Sequence, residues 1–271
     1  MVSIEIIRNG QVIARTQGAQ EASLLYEGSY QAGDQILFQA DGDHAVVQVD
    51  QQLMPARVYL PRGRFTFRPP LEGDGLAVYP PGAFTGEGHL LFIRPDGDNA
   101  WRNLACNPAD QRGATDPYPP IHTRRQTWKR EMKAFCGVQR ARRPAYRRGG
   151  HGQWPYGSWG IGARTDAELT LDFGRVVEID ALSLYLRADF PHDAYWIEAT
   201  VTLDDGHEQT FSLEGRDGAQ RIALGKHRVR RLRLHRLIKC DDPSAFPALR
   251  QIEVFGRDIE SGSTDEPIRE E

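Results

Sequence analysis

Short runs of alternating apolar and polar residues, each closed by a glycine or proline turn, run through this chain and restrict what it can fold into. Alternation with a period of two places every second side chain on one face, the pattern of a half-buried strand. Residues 2–7 alternate, Asn9-Gly10 supplies a hairpin turn, and residues 11–15 return from it. Further strands are predicted over 35–39, 45–49, 57–60, 64–67, 76–79 and 89–93. Asp41-Gly42, Pro61-Arg62-Gly63, Asp74-Gly75, Pro80-Pro81-Gly82 and Asp96-Gly97 punctuate them. That spacing predicts a β-sandwich domain over residues 1–100, in which no cluster resembles an active site.

A second set of strands is predicted over 168–173, 181–188, 196–203, 208–213, 220–223, 229–234 and 251–255, with Asp205-Gly206 as a hairpin turn. Residues 101–150, rich in proline turns, read as a linker or long loops belonging to a second domain over 101–257. The polar stretch 258–271 is expected to be a disordered tail. Helical periodicity nowhere exceeds a turn or two. The expected fold class is therefore all-β, with two β-sandwich domains.

Composition excludes several classes. No apolar run reaches the length of a membrane span, so no membrane partner is expected. The start, Met1-Val2-Ser3-Ile4-Glu5, lacks the basic and apolar stretches of a signal peptide, which points to the cytoplasm. Cys106, Cys136 and Cys240 are scattered without a CxxC pair, so neither a disulfide framework nor a zinc site is expected. A formal net charge of −3 argues against a chain devoted to nucleic acid.

The stretch His151-Gly152-Gln153-Trp154-Pro155-Tyr156-Gly157-Ser158-Trp159-Gly160 sets three large aromatics in a segment too rich in glycine and proline for a helix or a central strand. Aromatic planes on loops beside a β-scaffold suit a pyranose ring, whose C–H face stacks while polar neighbours read its hydroxyls. The competing reading has these rings filling the core beneath a loop.

The strand Leu169-Thr170-Leu171-Asp172-Phe173-Gly174, then Val177-Glu178-Ile179-Asp180-Ala181-Leu182, and the closing Gln251-Ile252-Glu253-Val254-Phe255-Gly256 occur in a particular order. In that order they resemble the discoidin, or coagulation-factor type C, family with its galactose-binding-like jelly roll, over roughly residues 103–257. The segments 151–160, 187–193 and 241–249 are similar to a bacterial discoidin-like subgroup of carbohydrate-binding proteins. The resemblance implies that the second sandwich is a discoidin-like jelly roll. Members of the wider family often hold a structural calcium ion, with a Glu opening the last strand among its ligands. Here Gln251 stands at that place, and the upstream stretch carries Arg140, Arg142 and Arg143. A neutral amide and an arginine cluster suit a divalent cation poorly, so no cofactor and no metal is expected.

Three candidate sites follow. In the first, Trp154, Tyr156 and Trp159 supply stacking planes with Trp196 as a fourth, while His151, Arg187, Asp189, His192 and Asp193 bind hydroxyls. The alternative has Arg187 and Asp189 as an internal ion pair pinning a loop. In the second, Asp189, His192, Asp193 and His151, or the pair Asp241-Asp242, act as general acid and base of a carbohydrate-active enzyme. No nucleophile elbow, metal pair or phosphate loop accompanies them, and Asp-Asp before Pro-Ser is more simply a turn. In the third, two basic runs, Arg124–Arg148 and Lys226–Arg236, hold a polyanion; the simpler reading is a strand face balanced by acidic residues. The expected function is non-catalytic binding of an oligosaccharide or polysaccharide, with nucleic acid not expected as a partner. The rival is a protein-interaction or structural module with its aromatics in the core, and a homo-oligomer is compatible with either.

Overall fold

The computed structural model describes residues 1–105 and 159–259, apart from 74, 75, 77, 78, 98, 162, 189–193 and 217, together with the backbone of 121–124. The chain is all-β. Eight strands build the first sandwich: β1 (Val2–Arg8), β2 (Gln11–Gly18), β3 (Ala22–Tyr26), β4 (Gln35–Ala40), β5 (His44–Gln48), β6 (Ala56–Tyr59), β7 (Arg64–Phe67) and β8 (His89–Pro95). They form two four-stranded sheets, β2-β1-β4-β7 and β3-β8-β5-β6. The hairpin expected at Asn9-Gly10 is present, with both residues at positive φ (52° and 78°) and Arg8 opposite Gln11. A two-residue loop of that kind matches the right-handed twist of its strands.

Alternation does what the pattern dictates. Ile4, Ile6, Ile36, Phe38, Val47, Phe65, Phe67, Leu91 and Ile93 point inward and are fully buried, with Phe38 stacked on Phe65 at 4.8 Å. Two expectations fail here. Residues 22–26 form β3, a strand not predicted, and Leu76, predicted in a strand, lies in a helical turn. Glycine, proline and acidic residues around both short apolar runs leave period two and a single helical turn indistinguishable.

The second sandwich has β9 (Arg102–Asn103), β10 (Ile121–Arg124), β11 (Trp159–Gly160), β12 (Glu168–Leu186), β13 (Trp196–Leu203), β14 (Glu208–Ser212), β15 (Gln220–Lys239) and β16 (Ala248–Asp258). They pair as β11-β16-β12-β15-β13-β14, with β10 on β12 and β9 on β16. Residues 168–173 and 181–188, predicted as separate strands, are one strand of 19 residues; 220–223 and 229–234 likewise join into one of 20. A straight strand of that length would span about 60 Å. Instead the β12–β15 ribbon bends, with register shifts between Asp172 and Val177 and between Ile179 and Ala181. Gly174 and Gly225, at φ 71° and 82°, lie at these irregularities.

The bend folds the ribbon over on itself into a jelly roll. Trp159 joins the Leu186 end of β12 through Leu249, whereas Trp196 pairs with Lys239 beyond the other end. Their ring centroids are nonetheless 5.9 Å apart. One end of this sandwich therefore carries the bend, and the opposite, open end gathers the described residues 187, 188, 194, 195, 213–216, 218, 219 and 240–247 and the start of β11.

The N-terminal sandwich docks at the bend end. Asp258, expected within the polar tail, instead closes β16 and is buried. Its carboxylate accepts from Arg102 Nη2 (2.6 Å) and Arg175 Nε (2.6 Å) of the second sandwich. From the first sandwich it meets Arg57 Nη2 at 3.2 Å and His44 Nε2 at 3.3 Å. Arg175 also lies over the Tyr59 ring at 4.5 Å.

Candidate functional site

The open end of the jelly roll is the candidate site, and its described walls are tied down strongly. Cys240 N–H donates to Tyr195 O at 2.9 Å, and Tyr195 N–H donates back to Cys240 Sγ at 3.4 Å. Arg187 N–H donates to Ala248 O at 2.8 Å, fixing the exit of β12 on the entry of β16. The Gln220 side chain grips Glu214 twice, accepting from its N–H at 2.7 Å and donating to its C=O at 2.8 Å. Gly215 sits flat under the Tyr195 ring, where a Cβ would come within 2.5 Å of a ring carbon. Any other residue at 215 would push the ring away.

Trp159 and Trp196 lie in the core, at 0% and 1% exposure, and pack on each other. As placed, neither ring offers a face to a sugar, which corrects their expected part as stacking planes. The physical reason is alternation: Trp159 pairs with buried Leu249 and lies two residues from buried Ile161, so its side falls inward. Their indole N–H groups meet no acceptor among the described residues. Arg187 is also buried, at 5% exposure, at the root of this end. His151, Trp154, Tyr156, Asp189, His192 and Asp193 lie outside the described residues. The residues that flank those segments, Trp159, Ala188 and Ala194, all stand at the open end.

One aromatic at this end escaped the sequence reading. Phe246, between β15 and β16, is 56% exposed, while neighbouring Pro247 and Ala248 are buried. Its segment had been singled out, but an apolar ring beside Pro247 and Ala248 reads as core. Nearby, Lys239 Nζ donates to the carbonyls of Cys240 (2.8 Å) and Asp242. Asp242 Oδ1 accepts from Ser244 N–H at 2.8 Å, an Asx turn. That carboxylate is thus engaged in the turn, with Asp241 exposed beside it. Gln251 donates from Nε2 to Glu253 Oε1.

The basic strand β15 sends its arginines outward, where acids meet three of them. Arg231 Nε donates to Asp172 at 2.9 Å, Arg236 Nη1 to Glu208 at 2.7 Å, and Arg233 stands 3.8 Å from Glu168. The run 125–148 and the side chain of Arg124 lie outside the described residues.

No family model and no curated protein matches the chain. Solved structures similar to it include chitosan-binding module 1 of a chitosanase/glucanase from Paenibacillus sp. IK-5, at 15% identity and a TM-score of 0.37, covering 58% of this chain and 100% of that one. Another is the family 32 CBM of C. perfringens NanJ in complex with galactose, at 7% identity and a TM-score of 0.38, covering 58% and 99%. A third is the family 32 carbohydrate-binding module of Streptococcus pneumoniae EndoD, at 8% identity and a TM-score of 0.30, covering 36% and 73%.

Proposed function

We propose that the second sandwich is a non-catalytic carbohydrate-binding module whose ligand docks on its open end. The observation that carries the reading is Phe246, a large aromatic left more than half exposed at that end. It stands among the strand ends that flank the segments carrying Trp154, Tyr156, Asp189, His192 and Asp193. Phe246, Trp154 and Tyr156 are the proposed stacking planes; His151, Asp189, His192 and Asp193 are the proposed hydroxyl ligands, and Arg187, buried at the root of this end, is not among them. Trp159 and Trp196 serve as the rigid floor. Docking of the N-terminal sandwich at the bend end supports the reading, because it leaves the open end on the far side of the jelly roll.

A few stacked ring faces and hydroxyl contacts give affinities on the micromolar to millimolar scale. Isothermal titration of neutral and acidic oligosaccharides into the full chain tests the proposal. Saturable heat that disappears in Phe246→Ala and in Trp154→Ala is the expected result. Saturable heat unchanged in both variants would place the ligand elsewhere.

A further inference from the structure

We propose that Asp258 is a single-carboxylate latch that holds the two sandwiches together as one rigid body. The geometry is lopsided in charge. His44 and Arg57 come from the outer face of the first sandwich, and Arg102 and Arg175 from the second. All four converge on the one carboxylate: Oδ1 takes Arg175 and His44, and Oδ2 takes Arg102 and Arg57. Among the described residues, Asp43 and Asp96, of the first sandwich and the segment leaving it, also meet His44 and Arg57. Asp43 Oδ1 is 2.8 Å from His44 Nδ1, and Asp96 Oδ2 is 3.3 Å from Arg57 Nε. Tyr59 completes the surroundings of His44, with ring centroids 5.2 Å apart.

Removing the Asp258 charge leaves Arg57 and His44 facing Arg102 and Arg175 across the junction. Attraction then gives way to repulsion between partly buried guanidinium groups. Each sandwich keeps its own hydrophobic core, one built from residues 2–93 and the other from residues 104–254. The latch therefore opens the junction without unfolding either body. Only residues 96–101 separate β8 from β9, so the parted sandwiches stay tethered.

The carboxyl of Asp258 is held far below the ordinary carboxylate range. Burial alone would raise it, and His44, Arg175 and Arg102 more than reverse that effect. Acidification to pH 5 thus leaves the latch charged.

The test is small-angle X-ray scattering of the full chain and of Asp258→Asn at pH 7, with far-UV circular dichroism alongside. The latch predicts a larger radius of gyration and a two-body distance distribution for Asp258→Asn, with an unchanged strand spectrum. It also predicts that Asp258→Glu, which keeps the charge, stays closer to wild type. Scattering identical to wild type would overturn the proposal. So would loss of the strand signal, which would make Asp258 a support of the fold itself. Neither readout involves a glycan, so failure here is distinguishable from failure of the carbohydrate reading.

Discussion

Replacing Trp159 with alanine separates a core tryptophan from a ligand-facing one. The ring is fully buried and lies 5.9 Å from that of Trp196. An aromatic side chain buries roughly 150–250 Å². At about 25 cal/mol per Å² its removal costs ~4–6 kcal/mol before relaxation. Large aromatic-to-alanine changes in cores cost about 3–5 kcal/mol, so ~4 kcal/mol is the expected loss. That is a large share of the 5–15 kcal/mol typical of a domain. Guanidinium unfolding followed by far-UV circular dichroism reads it as a shift of the second sandwich's transition. A cycle with Trp196→Ala is expected to show coupling of about 0.5–1.5 kcal/mol. Phe246→Ala, at an exposed position, is expected to cost under about 1 kcal/mol. A Trp159→Ala loss below about 1 kcal/mol would refute the burial argument, because a surface ring costs no more than that.

Other expectations follow from the same geometry. Asp50 is fully buried, accepts from Gln52 N–H (2.7 Å) and Phe84 N–H (2.9 Å), and lies 3.6 Å from buried His89. Asp50→Asn, which keeps only one acceptor oxygen for the two N–H groups, should therefore lower the first sandwich's unfolding free energy by about 1–3 kcal/mol, measured by denaturant titration. The His235 imidazole is held below its usual value by burial and by Arg233 and Arg236. The native state thus favours the neutral ring; the stability this gives is present above about pH 6.5 and lost as pH falls toward the lowered value. Melts of wild type and His235→Gln between pH 7.5 and 5 should show that part of the loss in wild type alone. Gln220→Ala should speed amide hydrogen exchange across 213–219 and cost about 1–2 kcal/mol, since both grips on Glu214 are lost. Arg231→Ala should change stability by at most about 1 kcal/mol in denaturant titration, because the arginine is 60% exposed.

Most strands of the first sandwich were legible because their alternation is strict and their turns carry glycine, proline or asparagine. The hairpin at Asn9-Gly10 is the clearest case, since its turn demands positive φ at both residues. The two long strands were not legible as such. Gly174 and Gly225 read as breaks in a linear sequence, yet they mark bends and bulges inside a continuous ladder, a distinction that depends on partners far away in the chain. At the open end, the sequence drew attention to segments 151–160, 187–193 and 241–249 but could not say which way a ring points. Glycine and proline around Trp159 announce a loop; the two-residue pairing with β16 that turns the ring inward comes from a strand about ninety residues away. Phe246 is the converse, an apolar residue whose exposure no local pattern signals. Asp258 was grouped with the polar residues that follow it because its four partners come from residues 44 to 175.

The most direct test of the central claim is titration of an oligosaccharide panel into the full chain by calorimetry, repeated with Phe246→Ala. The account predicts saturable binding to at least one glycan at micromolar to millimolar concentration, abolished in a variant that melts as wild type does. No heat from any neutral or acidic glycan at millimolar concentration would contradict it.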